Sequence, residues 1–203
     1  MAIAAEHERL IRSIGDTPIA MVLSNPRRPD NPIEVANAGF CDLTRYAEPE
    51  IVGRNCRFLA GPGTAAAATD QLRSAIHERR PALIEILNYR RDGSPFLNGV
   101  MITPIFDADT KLAFFLGSQV DLGTPGSGSL SLRKAVAAQK VDALPQRQRQ
   151  VLEGMAKGLL NKQIAWALKI SEKTVKMHRA LLIERLGAST SAEAIRIAVE
   201  AGL

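Results

Sequence analysis

The sequence predicts an α+β domain, a five-stranded antiparallel sheet with helices on one face, followed by an all-α domain of four helices. Three observations carry this reading. The first part of the chain holds five strand-like runs separated by short helical patterns, a mixture that suits one sheet with its helices segregated to one side. A Gly/Ser-rich stretch, Gly123–Ser131, then reads as a flexible linker. Beyond it only helical periodicities occur and the charge changes sign, from a net −2 over residues 1–126 to a net +7 over residues 127–203. Basic charge gathered in one part suggests contact with a polyanion, although a charge run alone is more often a solvated face. The predicted units are an N-terminal helix (1–15), the sheet domain (16–121), a linker with a linking helix (122–143) and the helical domain (144–203).

In order along the chain, Leu10, Ile11 and Ile14 give a short helical pattern from Ala4 to Ile14, which Gly15 ends. Pro18–Leu23 reads as a buried strand, Asn25–Pro32 as a polar loop of turn residues, and Ile33–Ala36 as a second strand. Short helices are expected at Ala38–Tyr46 and Pro49–Val52, a break at Gly61-Pro62-Gly63, and a helix over Thr69–Arg79 with Leu72, Ala75 and Ile76 on one face. Leu83–Arg90 and Phe96–Phe106 flank Asp92-Gly93, a strong hairpin signal, and Asp107-Ala108-Asp109 turns the chain into Leu112–Val120. After the linker comes a linking helix, Leu132–Val141, with Val136 and Val141 exposed to some partner. Helical patterns follow at Gln146–Lys157, Lys162–Leu168, Glu172–Leu186 and Ala192–Ala201. The three residues Lys169-Ile170-Ser171 have the length of the turn in a helix-turn-helix.

Composition narrows the class. At 46% hydrophobic and 23% charged residues, the chain is an ordinary globular protein able to bury a core. No apolar run approaches the roughly 18 residues of a membrane span, and the amino terminus lacks a secretory pattern. Two cysteines, Cys41 and Cys56, make no disulfide framework, and the three histidines show no metal-ligand spacing, so a cytoplasmic protein without a metal is expected.

The chemistry-bearing stretch is Gly53-Arg54-Asn55-Cys56-Arg57-Phe58-Leu59. A lone cysteine is usually a buried small hydrophobe. This heptapeptide, however, resembles the cysteine loop of LOV domains, the blue-light-sensing flavin branch of the PAS fold, although Ala60 stands where that family has Gln. The resemblance covers roughly residues 16–121. It implies FMN as cofactor, a reversible light-driven bond from the Cys56 sulfur to flavin carbon C4a, and Arg57 and Arg73 on the phosphate. It also implies Asn55, Asn88, Asn98 and Gln119 on the polar edge of the ring. Strand parity speaks for the same amides independently: Asn88 shares a face with Ile84 and Ile86, Asn98 with Val100 and Ile102, and Gln119 with Phe115 and Gly117. Amides directed among buried aliphatics need partners. A rival pattern, Gly61-Pro62-Gly63-Thr64-Ala65-Ala66, fits a dinucleotide fingerprint, but no buried strand leads into it, and it reads as a turn.

Residues 144–202 resemble the LuxR-type helix-turn-helix, through Leu144-Pro145-Gln146-Arg147-Gln148, Gly158-Leu159, Asn161-Lys162, Ile164-Ala165 and the run Ile170–Arg179 to Leu186-Gly187. Ser171 is a good N-cap, and Val175, Leu182 and Leu186 fall on one core stripe. The resemblance implies that Lys176, Met177 and Ala180 face base edges of double-stranded DNA. Lys173 and Arg179 would hold phosphates, as would Asn161 and Lys162, with Thr174 in the same contact set. It further implies pairing as a homodimer through residues 192–203, which the sheet clasps in the dark. The expected function is a light-regulated, non-enzymatic transcription factor. The alternatives are a PAS regulator answering redox or another ligand, and a flavoenzyme carrying a DNA-binding module.

Overall fold

The computed structural model describes residues 2–123 and 129–203, with side chains over 8–123 and 133–203. The linker expected over 124–128 lies outside the described residues. Helix α1 (Ala2–Gly15) leads into β1 (Ala20–Ser24), β2 (Ile33–Ala36), α2 (Ala38–Thr44) and α3 (Glu48–Ile51). A 3-10 turn at Cys56–Leu59 follows, then α4 (Ala66–His77), β3 (Ala82–Tyr89), β4 (Pro95–Phe106) and β5 (Leu112–Asp121). The strands form one antiparallel sheet in the order β2-β1-β5-β4-β3. The Asp92-Gly93 hairpin is present, with Tyr89 opposite Pro95 and Gly93 at φ 81°.

The C-terminal part is α5 (Ser129–Asp142), α6 (Gln146–Ala156), α7 (Asn161–Leu168), α8 (Glu172–Leu186) and α9 (Ser191–Glu200). The Ser171 side chain caps α8 by accepting from Thr174 N–H at 3.0 Å, and Gly187 closes the helix in the left-handed conformation. Val175, Leu182 and Leu186 are all buried in the helical core.

Three expectations are corrected. Helix α4 starts at Ala66, because the alanine run Ala65–Ala68 is good helix former, and it ends before Arg79, whose φ of 53° stops it. The last residues assigned to the linker, Ser129–Ser131, already belong to α5. Val141, expected to be exposed, is buried beside Ala137 where α5 packs on α9, whereas Val136 stays in solvent.

The sheet buries both faces. Period-two alternation sends Val22, Asn98, Val100, Ile102, Phe115, Gly117 and Gln119 to one side. Met21, Leu23, Met101, Ile105 and Leu116 go to the other, where they share one apolar core with α6, α7, α8 and α9. Backbone and side-chain bonds stitch this second face. Thr103 Oγ1 donates to Ala156 O at 2.7 Å, Phe106 N–H to Gly158 O at 3.1 Å, and Gln163 Nε2 to Asp107 O at 3.1 Å. The N-terminal helix joins in, since Ser13 Oγ accepts from Ala192 N–H at 3.1 Å. Helix α9 is therefore enclosed: eight of its ten residues, including Arg196 and Glu200, are buried.

Gly158 sits at the tightest point of this contact. Its φ is +74°, and a Cβ there would stand 1.7 Å from Pro104 O. Gly158→Ala should strain the turn and push the domains apart, with a larger radius of gyration by X-ray scattering and a lower melting temperature. A compact variant of unchanged melting temperature would contradict this account of the joint.

Candidate functional site

The cysteine loop is fixed from several directions. Gly53 N–H donates to Ile33 O and Ile33 N–H to Arg54 O, both at 2.8 Å, which ties the loop to β2. Arg54 lies over the Phe58 ring at 4.2 Å, and Phe58 meets Tyr46 edge-on at 4.9 Å. Asn55 caps the 3-10 turn by accepting from Arg57 N–H at 3.0 Å, and its amide donates to Asp30 O at 2.6 Å. Cys56 opens the turn, and Leu59, at its end, is buried in the core beneath.

These elements enclose a cavity of about 300 Å³ on the inner face of the sheet. Asn55, Cys56, Arg57, Arg73, Asn88, Asn98 and Gln119 all line it, drawn from the cysteine turn, α4, β3, β4 and β5. Val22, Leu72, Ile86, Val100 and Phe115 give it apolar walls. Asn98 Nδ2 donates to Asn88 Oδ1 at 2.9 Å, and Asn88 Nδ2 donates to Leu59 O at 3.3 Å. This chain of amides leaves Asn98 Oδ1 and Gln119 Oε1 buried with no hydrogen-bond partner. Such atoms cost about 1–3 kcal/mol each unless something satisfies them.

Two acceptors at the inner wall, apolar sides and two exposed guanidinium groups at the rim fit a flat heterocycle with a polar edge and an anionic tail. Arg57 is paired with Asp30, and Arg73 with Asp70 at 3.0 Å, both exposed on that rim. Asn31, which also lines the cavity and leaves its buried Oδ1 unpaired, was missed by the sequence reading. It lies in the polar loop before β2, where nothing but turn composition marks it.

Cys56 is half-buried, and burial pushes its thiol up to about 12. The sulfur is thus held as a neutral thiol throughout the physiological range.

The second set of predicted residues lies on α7 and α8. Lys173, Lys176, Met177 and Ala180 form an exposed stripe at helical spacing, opposite the buried Val175, Leu182 and Leu186. Lys162 is exposed, and Thr174 is tied to the cap through a 2.8 Å contact with Ser171 Oγ. Asn161 and Arg179 are brought together instead: Arg179 Nη1 donates to Asn161 Oδ1 at 2.6 Å and Nη2 to Ser191 Oγ at 3.1 Å, with Asn161 buried.

Comparison with known proteins agrees with this architecture. Residues 18–123 match the PAS domain profile, and residues 142–198 match the profile of the bacterial regulatory proteins of the luxR family. The chain belongs to the PAS domain family, and its C-terminal part is a LuxR-type helix-turn-helix. Within the PAS family, LOV domains are among its relatives. It is 46% identical over 106 residues to blue-light-activated histidine kinase 1 of Erythrobacter litoralis, covering 52% of this chain and 29% of that protein. It is 43% identical over 106 residues to the blue-light-activated histidine kinase of Rhizobium johnstonii, covering 52% and 31%. The chain thus spans less than a third of the length of these curated relatives. Among solved structures, the LOV domain of an Erythrobacter litoralis blue-light activated histidine kinase superposes with a TM-score of 0.52 at 36% identity, covering 53% of this chain and 99% of that one. The light-state LOV domain of the photoreceptor Aureochrome1 gives 0.53 at 32%, covering 62% and 95%. Among the described residues no helix is long and apolar enough to cross a membrane, and no group of side chains could hold a metal ion.

The thiol's raised pKa yields a direct test. Iodoacetamide near neutral pH should label Cys56 in the native chain at least tenfold more slowly than in the unfolded chain, because the thiolate is the nucleophile. Peptide mapping that finds equal rates would show the thiol to be ordinary.

Proposed function

We propose that the chain is a blue-light-regulated transcription factor: FMN in the inner cavity is the light sensor, and the helix-turn-helix is the output. The observation that supports it best is the pair of unpartnered buried acceptors, Asn98 Oδ1 and Gln119 Oε1, in one cavity with Cys56. When bound, the flavin would supply absorption of blue light and an electrophilic ring carbon, for which Cys56 would be the nucleophile and the source of a proton. Asn88, Asn98 and Gln119 would orient the ring against Cys56, and Arg57 and Arg73 would exchange their carboxylate partners for its phosphate, which a guanidinium fork suits.

Gln119 carries the signal in this reading. Its amide can present either a donor or an acceptor, so a change in ring protonation favours its reversal. The preceding residue, Ser118, points to the other face of β5 and accepts from Arg196 Nη1 at 2.5 Å. Arg196 is 1% exposed. Its Nη2 lies 2.7 Å from Glu200 Oε1 without hydrogen-bond alignment, and its Nε has no partner. A buried cation so incompletely paired makes the joint sensitive to small shifts of β5. Light would loosen the joint, free α9 to pair with a second copy, and present two α8 helices to a two-fold DNA site. The chain acts as a cytoplasmic regulator rather than an enzyme.

Illumination of the purified chain should bleach a three-banded flavin spectrum, which recovers in darkness. Cys56→Ala should keep the flavin and lose the bleach; a variant that still bleaches removes the thiol from the mechanism. Ser118→Ala touches neither DNA nor flavin, yet strips a charge-assisted bond from a buried cation. It should raise DNA affinity and dimer mass in the dark, by about tenfold if the bond is worth ~1.5 kcal/mol. Dark behaviour identical to the parent chain would refute the relay through β5.

A further inference from the structure

Helix α1 lies outside both matched domains, residues 18–123 and 142–198, yet it is attached to each of them. Leu10, Ser13 and Ile14, at i, i+3 and i+4, make up its covered face, while Glu8, Arg9, Ile11 and Arg12 are exposed. Ile14 is 0% exposed and belongs to the core that joins Met21 and Leu23 of the sheet to Ala192 and Ile195 of α9. Leu10 packs on the same core and shares a cavity wall with Ile195.

The two attachments differ in kind. On the sensor side, one buried amide pins the end of the helix. Asn37 Nδ2 donates to Ile14 O at 2.9 Å, to Thr17 O at 3.1 Å and to Ile19 O at 2.8 Å. Its Oδ1 accepts from Met21 N–H at 2.9 Å and from Phe40 N–H at 3.0 Å. Ile14 O is among the carbonyls that a helix end leaves without an internal partner, so this amide closes α1 and ties it to β1 and α2. On the output side, α1 holds α9 through Leu10 and Ile14 and through the bond from Ala192 N–H to Ser13 Oγ at 3.1 Å. The N–H groups in the first turn of α9 also need partners from outside the helical ladder. Thr190 Oγ1 takes that of Glu193 at 3.2 Å, and Ser13 takes that of Ala192, so α9 is capped in part by another domain. Because Asn37 fixes α1 to the sensor, this grip travels with the sensor when the joint opens.

We propose that α1 is a second latch on α9, separate from the sheet, and that it competes with a second copy of the chain for the start of that helix. Residues 192–203 are the pairing surface in the proposed function, on which this competition rests. Ala192 and Ile195 stand at the beginning of that surface, where Ser13 and Leu10 meet the helix. A second copy reaches them only after α1 has withdrawn. Closure by α1 and pairing through α9 exclude one another, so weakening the latch favours the pair by the same factor.

The test is made on the full, flavin-loaded chain with Ser13→Ala, Leu10→Ala and the two combined. Alanine is the best helix former, and neither change touches Asn37 or Ile14. In the dark, Ser13→Ala should lower the chain concentration that half-saturates DNA about fivefold, the effect of one lost hydrogen bond. Leu10→Ala should lower it about tenfold, the effect of part of a buried leucine. Light scattering should show more dimer in the same order. Flavin content and DNA binding under illumination should match the parent chain, so that the lit-to-dark ratio shrinks. A purely structural role would weaken DNA binding in light and dark alike, and that result overturns the latch. X-ray scattering in the dark needs no light response, and the double variant should show a larger radius of gyration than the parent. If it expands and binds DNA more tightly in the dark while the parent ignores light, the latch stands and the light-regulated reading fails. If the parent answers to light but the double variant equals it in the dark by every measure, the latch falls and the light-regulated reading stands.

Discussion

Burial of both faces of one sheet is the constraint on which the rest of the structure depends. A PAS-type sheet standing alone would show its outer face to water, and strands of that kind alternate apolar and polar residues. Here β1, β4 and β5 carry apolar side chains on both parities, with Met21, Met101 and Leu116 fully buried on the outer side. The helix-turn-helix supplies the cover. It is therefore part of the sensor's packing as well as its output, and neither surface can change without the other meeting water.

The cover is not uniform in strength. Most of α9 is small and aliphatic, and a helix buried around its whole circumference ordinarily carries no charge. Arg196 and Glu200 break that rule. Burial pulls the Arg196 pKa below the ordinary arginine value, while the Glu200 carboxylate pulls the other way and Arg133 adds repulsion. A well-packed aliphatic pair in their place would hold the domains together more firmly. A firmer joint would also be harder to release, so an ill-satisfied ion pair at this position is in keeping with the proposed opening of the joint. Asn98 and Gln119 on the inner face are the mirror image of this: they too are left short of partners, and there the shortfall is what a ligand can supply.

Much of this was legible in the sequence, for identifiable reasons. The hairpin followed from Asp92-Gly93, the amide wall from the period of two along β3, β4 and β5, and the core stripe of α8 from helical spacing. The start of α5 was not legible, because Ser129 and Ser131 belong by composition to a linker and become helical where α5 packs on α9. Docking of the helical domain on the sheet entered only as an implication of the family resemblance, because the residues of β4 by themselves mark a strand and not what covers it. The enclosure of Arg196 left no trace, since a charged residue in an amphipathic helix ordinarily marks the solvent side. Asn31 was hidden for a similar reason, its loop being unremarkable until the fold brings it over the cavity.

The turn at Gly158 bears on how freely such sensors and outputs can be exchanged. A helix-turn-helix needs that glycine for its own backbone, to pass from α6 to α7 with a positive φ. The sensor exploits the same missing side chain as a seat for the Pro104 carbonyl, and Phe106 N–H donates a hydrogen bond to the turn's own carbonyl oxygen. An output domain with a side chain at this turn would bear the strain of the positive φ and, beyond that, would meet the Pro104 carbonyl and could not be docked by this sheet. Compatibility between the two domains is thus written into one position that belongs to the output alone. In a shuffling of modules, by nature or by design, that position would decide which output domains this sheet can dock and which it cannot.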